Sequence, residues 1–143
     1  MSLNPDVWGP HYWFVLHTLT INYPHYPNAE TKKAYYELIK NMSLFIPVEE
    51  MAKDFSNLMN QYPVSPYLDS RESFVRWMHF IHNKINEKLE KPKISLHDFY
   101  ANYYALYKPK EVKYLEYYRL KEKIIYSIVI GGFVAGIYYL YDK

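Results

Sequence analysis

This chain of 143 residues carries six histidines, three tryptophans and no cysteine. Two clusters of these residues could do chemistry. His79 and His82 stand three apart, and Asn83 and Asn86 repeat that spacing. His82 and Asn86 are therefore one turn apart on the same helical face. Such a polar row can hydrogen-bond a planar polar ligand lying between helices. It can equally be a half-buried seam whose groups satisfy one another, and the residues leave both readings open. A histidine pair at this spacing can bind zinc, but no carboxylate or third histidine stands at supporting distance along the chain. The second cluster is Trp13 with His17 one turn later. An indole and an imidazole on one face suit a heteroaromatic ring, one stacking and the other hydrogen-bonding. They also suit ordinary core packing.

Other chemistries are excluded. Without cysteine there is no disulfide, thiolate zinc site, iron–sulfur cluster or cysteine nucleophile in this sequence. Gly9 stands alone, so no glycine-rich phosphate loop exists. Glu49 and Glu50 are adjacent and point to different faces, a poor acid–base pair. No Ser–His–Asp arrangement has a signature here. A net charge of +2 is too small to imply nucleic acid as a partner.

Helices separated by proline-marked turns must position these side chains. Pro10 is expected to open a first helix over 11–21, with Trp13, Leu16, His17 and Thr20 sharing one face. Tyr23-Pro24 and Pro27 break it. A second helix is predicted over 29–45, with Tyr35, Leu38, Ile39, Met42, Phe45 and Ile46 as its stripe. A third follows Pro47 over 48–61, with Glu49 and Glu50 in its first turn, where negative charge suits the helix dipole. Asp69 or Ser70 caps a fourth, whose apolar face is Phe74, Trp77, Met78, Ile81, Ile85 and Leu89. Ser95 caps a short fifth over 97–107. The expected fold is all-α: a four-helix bundle plus a short fifth helix, in one domain over residues 1–107.

Pro109 separates that domain from a basic segment, 108–123, which holds Lys108, Lys110, Lys113, Arg119, Lys121 and Lys123. Residues 124–141 follow, 18 positions without a charge. A spanning helix needs about 17–25 such residues. Tyr126 near one end and Tyr138, Tyr139 and Tyr141 near the other fit an aromatic belt. The reading is a C-terminal transmembrane anchor, with a buried core helix as the alternative. The basic flank puts the N-terminal domain in the cytoplasm, and residues 1–10 lack the apolar stretch of a signal peptide. Gly132 and Gly136 form a G-x-x-x-G pair, a spacing that also arises by chance.

Three segments together resemble the Erv/ALR family of FAD-linked sulfhydryl oxidases. Trp8-Gly9-Pro10-His11-Tyr12-Trp13-Phe14-Val15-Leu16-His17-Thr18, with Tyr23-Pro24 downstream, is similar to the family's G-x-x-x-W-x-x-L-H pattern. Pro47-Val48-Glu49-Glu50-Met51 stands where the family has P-C-x-x-C. His82-Asn83-Lys84-Ile85-Asn86-Glu87-Lys88-Leu89-Glu90-Lys91-Pro92 is similar to its H-N-x-V-N-x-x-L-x-K-P signature. Order and separations agree over roughly residues 8–103. The missing second cysteine pair, near His79 and Leu96, resembles some short viral members.

The resemblance implies a helical bundle, a homodimer, and FAD at the mouth of the bundle. Gly9 and its neighbours would approach the cofactor with backbone. Trp13 and His17 would contact the adenine and ring-system side. His82, Asn83 and Asn86 would hydrogen-bond or stack on the adenosine portion. Lys88 and Lys91 would meet the phosphates or ribose, and Phe55 and Tyr23 would be apolar or stacking neighbours. Tyr100 or Tyr103 would close the site. The virion membrane is one membrane that the viral members suggest. The implied reaction oxidises protein thiols through a cysteine pair and FAD, with dioxygen reduced to hydrogen peroxide.

That reaction needs a thiolate. The positions of the redox pair hold Val48 and Met51, and a thioether neither deprotonates nor forms a disulfide. The expectation is a flavin-binding relative that is inactive as a thiol oxidase. A non-enzymatic tail-anchored helical scaffold, kept for dimerisation or partner binding, is the alternative.

Overall fold

The computed structural model describes residues 3–142 and is helical, with no strand among those residues. It divides into two compact units, Met1–Ala101 and Asn102–Lys143. The first unit holds α1 (Pro5–Ile21), α2 (Ala29–Asn41), α3 (Glu49–Gln61) and α4 (Arg71–Lys88). Helix α5 (Leu96–Ala105) begins in the first unit and ends in the second, which also contains α6 (Lys110–Tyr141).

Helix α1 begins six residues earlier than expected. Asn4 accepts a hydrogen bond from the Asp6 amide at 2.9 Å, and Pro5 takes the first helical position, where a missing N–H costs nothing. Pro10 therefore lies inside the helix rather than at its start. It removes one backbone hydrogen bond, early enough that the following eleven residues hold the helix together. The extension brings Asp6 and Gly9 onto the same element as Trp13 and His17.

Local chemistry sets the other ends. Asn28 caps α2 through the Thr31 amide at 2.8 Å, and Ser70, not Asp69, caps α4 through the Ser73 amide at 3.2 Å. The second helix stops at Asn41, and residues Met42–Phe45 form a tighter 3₁₀ turn. The change of pitch turns Phe45 outward, so it is exposed instead of completing the predicted stripe. Helix α4 ends at Lys88, which leaves Leu89 beyond the last turn and 41% exposed. Ser95 and Asp98 exchange hydrogen bonds at the start of α5: the Asp98 amide donates to Ser95 Oγ at 3.0 Å, and that hydroxyl donates to the Asp98 carboxylate at 2.7 Å.

The core of the first unit is continuous. Leu16, Ile39, Phe55, Phe74, Trp77, Met78 and Ile81 are buried together, with Tyr23, Val64 and Leu68 from the connections. Each large apolar side chain fully buried stabilises by about 1.5–3 kcal/mol. Buried polar atoms are paired within it: the Trp77 indole donates to the Tyr62 carbonyl at 3.1 Å, and the Tyr23 hydroxyl donates to that of Leu68 at 2.9 Å.

In the second unit, the basic segment and the apolar segment are one helix from Lys110 onward. Its 32 residues rise about 48 Å at 1.5 Å each, more than a bilayer's hydrocarbon thickness of about 30 Å. Its most apolar 18-residue window has a mean hydropathy of 1.8 and is not buried in the protein, so the helix is long and apolar enough to cross a membrane.

Candidate cofactor site

The site forms where α1 faces α4. Trp13 and His17 share a face of α1, with ring centroids 5.7 Å apart. From α4, His82 lies parallel to the Trp13 indole, at 3.9 Å and 10°. His82 Nδ1 also stands 2.8 Å from His17 Nε2, a hydrogen bond between two imidazoles. Phe99 of α5 closes on His17 at 4.5 Å. The two clusters read separately along the chain are thus one cluster in space.

Both imidazoles are neutral at physiological pH. Burial foremost, with the neighbouring His82 and His79, lowers the His17 pKa to about 3, and burial with His79 lowers that of His82 to about 4. One ring donates to the other, which uses one nitrogen of each. The second His17 nitrogen, Nδ1, is buried without a hydrogen-bond partner among the described residues. An unsatisfied buried group costs roughly 1–3 kcal/mol. His17 itself is only 5% exposed, whereas Trp13 is half-buried and offers part of its ring surface. One turn before Trp13, a Cβ added to Gly9 would meet nothing within 4 Å. The arrangement can stack a flat heteroaromatic group and hydrogen-bond it from a buried imidazole.

The other candidates have packing or polar partners of their own. Lys91 Nζ lies 3.0 Å from the Asp6 carboxylate at the start of α1, and Lys88 is ion-paired with Asp54 of α3. Asn86 is buried, and its carbonyl accepts the Lys91 amide at 2.8 Å. Asn83 spends its amide on the backbone of Ile94. Tyr23 and Phe55 are core residues, at 0% and 3% exposure; the Tyr23 ring packs edge-on against Tyr35 and Phe74 at 4.7 and 5.1 Å. Tyr103 belongs to the second unit, its hydroxyl 2.9 Å from that of Tyr107. A groove of about 320 Å³ runs between α3 and α4, lined by Asp54, Asn57, Leu58, Lys84, Glu87 and Lys88. Of the candidates, only Lys88 lines it.

Val48 and Met51 occupy the start of α3. Val48 is the residue before the first turn, with extended backbone and no side-chain cap, and Met51 lies in the first turn; both are half-buried. Neither carries an ionisable group. The positive end of the helix dipole there has no thiol to act on.

One partner of this site, Phe99, was not among the residues the sequence singled out, whereas His79 was, by its spacing from His82. The signal of Phe99 was weak, since it is one of four aromatics among the ten residues of α5 and they follow no fixed pattern.

Residues 10–105 match the model of the Erv1/Alr family. The chain belongs to that family of helical proteins. Among its relatives, the mitochondrial FAD-linked sulfhydryl oxidase erv1 of Schizosaccharomyces pombe is 37% identical over 90 residues, covering 62% of this chain and 50% of the relative. A probable FAD-linked sulfhydryl oxidase of Acanthamoeba polyphaga mimivirus is 31% identical over 85 residues, 59% of each. The chain spans about half the length of the first curated relatives it matches. Among solved structures, the FAD-binding domain of Erv1 from Saccharomyces cerevisiae superposes with a TM-score of 0.62 at 32% identity, covering 65% of this chain and 87% of that one.

Proposed function

We propose that this chain binds FAD against the Trp13–His17–His82 cluster and does not oxidise thiols. The observation that carries the binding half is the unpartnered, buried Nδ1 of His17 beside a parallel Trp13–His82 pair. A protein that leaves a buried nitrogen unsatisfied next to an open aromatic surface is suited to a ring that satisfies both. Relatives named as FAD-linked oxidases, and a solved neighbour named as an FAD-binding domain, support the choice of ring.

Bound FAD supplies a two-electron acceptor. The chain's own residues bind and orient it. Trp13 and His82 provide stacking surface, and His17 offers its free nitrogen. Asn86 and the open backbone at Gly9 border the ligand. Lys88 and Lys91 face phosphate; both are now paired with carboxylates, Asp54 and Asp6, and their side chains are about half exposed, so phosphate oxygens can replace those partners at little cost. Tyr23 and Phe55 back the site as packed core. The absent half rests on Val48 and Met51: thiol–disulfide exchange starts with a thiolate, and this chain has none.

A homodimer and a membrane-bound location complete the reading. Val7, Phe14 and Val15 form an exposed apolar row on α1. Phe45, whose carbonyl takes the Tyr12 hydroxyl at 2.8 Å, and its neighbour Leu44 extend that surface. A second copy covering this face would bury it. Helix α6 would anchor the protein, with the first unit on the cytoplasmic side; the viral relatives make a virion membrane a candidate. The same apolar face favours the second reading, a tail-anchored scaffold without cofactor.

Flavin decides between them. Titrating FAD into flavin-free protein should raise its melting temperature, by about 2.7 kcal/mol of added stability at 100 times the dissociation constant. Oxygen consumption with dithiothreitol should stay at the level of free FAD. No thermal shift sinks the binding reading, and turnover well above free FAD sinks the inactivity.

A further inference from the structure

Resting on the flavin reading above, we infer that Asn83 and His79 are positioning residues for the site, acting through the α4–α5 connection. The side chain of Asn83 pairs with the backbone of Ile94 at both ends. Its Oδ1 accepts the Ile94 amide at 2.9 Å, and its Nδ2 donates to the Ile94 carbonyl at 2.9 Å. His79, one turn earlier on α4, brings Nε2 to the same carbonyl at 2.7 Å. At that distance Nε2 must carry the proton, since a bare nitrogen facing a carbonyl oxygen would be repelled. The two donor nitrogens stand 3.2 Å apart, as two donors converging on one oxygen do.

The pairing uses both backbone polar groups of one residue, Ile94, in a stretch that has little else. Residues 91–95 form no helix, and Pro92 has no amide to donate. At the near end of the connection the Lys91 amide bonds to the Asn86 carbonyl; at the far end Ser95 caps α5. Ile94 on Asn83 and His79 is the fastening between them. It fixes where Lys91 stands beside Asp6 of α1, and where α5 begins, hence how Phe99 meets His17 at 4.5 Å and His79 at 5.8 Å. An amide engaged in this way is oriented toward the connection before any ligand arrives, with one N–H and one lone pair already in use. Asn83 therefore shapes the site without serving as a hydrogen-bonding ligand to the adenosine portion.

The test uses the full chain in detergent, with two readouts: hydrogen exchange at the Ile94 amide in flavin-free protein, and FAD affinity by titration. Asn83→Asp keeps the acceptor but sets a carboxylate against the Ile94 carbonyl. His79→Leu removes a donor that touches no ligand in either account, and His79→Gln returns a nitrogen donor of similar reach. Asn83→Asp and His79→Leu should each speed Ile94 exchange at least tenfold and weaken FAD, and His79→Gln should recover both. FAD weakened by Asn83→Asp with Ile94 exchange unchanged, or with FAD affinity untouched by His79→Leu, overturns the inference in favour of direct contact. Rapid Ile94 exchange in the unaltered protein overturns it as well. Unaltered protein that takes up no FAD overturns the flavin reading and, with it, the site that Asn83 would position; a protected Ile94 would then mark the fastening as a feature of the fold alone.

Discussion

On the side where α1 meets α4, Trp13, His17 and His82 are stacked and hydrogen-bonded to one another, and His17 is buried in the helical packing. At the start of α3, Val48 and Met51 carry side chains that neither ionise nor bond covalently to sulfur. The first region serves the fold, and on the reading proposed above the same atoms would hold a ligand. The second stands where the family resemblance puts a reactive pair; packing accepts any small or flexible apolar group at a helix start, because a free thiol itself packs as a small hydrophobe. A site built from packing residues would thus persist independently of a reactive pair that packing does not require.

The largest expected effect breaks that contrast from the reactive side. The double variant Val48→Cys with Met51→Cys restores a thiol pair at a helix N-terminus, where the dipole favours the thiolate. It should turn dithiothreitol-dependent oxygen consumption from the free-FAD level into sustained turnover. A flavin-loaded double variant that stays inactive would show that more than the pair has been lost.

The next tests the binding side. Trp13→Ala removes the stacking surface, which is worth about 1–3 kcal/mol for an aromatic on a flat base. FAD affinity should fall roughly ten- to hundredfold in titration. An unchanged affinity would place the flavin elsewhere.

Acid should separate the regions further. The folded pKa values of His17 and His82, about 3 and about 4, lie below their unfolded value of 6.5. Between those limits the unfolded chain binds protons that the native state refuses, so stability is full above about pH 6.5 and falls as pH drops toward 4. Each histidine contributes at most about 1.4 kcal/mol per pH unit. Melting temperature measured from pH 7 to 4 should decline, and His82→Gln should flatten the decline. Val48 and Met51 have no such dependence.

The smallest effect concerns the residue after α4. Glu90 sits at φ 55°, in the left-handed region, where its neighbour Lys91 closes the helix end on Asn86. Glycine reaches that conformation without the Cβ clash, so Glu90→Gly should stabilise by about 1 kcal/mol or less in chemical denaturation.

Much of this was legible in sequence because it was carried by short-range signals. Ser70 and Ser95, helix spacing in α4 and the prolines between helices all act within a few residues, and the helices fell where those signals put them. Pro10 misled, because a proline marks a helix start only where no better one precedes it, and Asn4-Pro5 is better. The continuity of α6 across residues 110–141 was hidden by a change of composition that the backbone does not follow. At the site, the residue types of Trp13, His17 and His82 were legible, but their convergence was not, since 65 residues separate the two histidines that hydrogen-bond. Asn83 looked like its neighbour Asn86 along the chain; only the position of Ile94 shows that the Asn83 amide is fastened to the α4–α5 connection.

The most direct test of the central claim is the absorption spectrum of the purified full chain after desalting. The account predicts a flavin band that survives desalting and is released when the protein is denatured, with no thiol-dependent bleaching beyond that of free FAD. A colourless protein that stays colourless after incubation with FAD would contradict it.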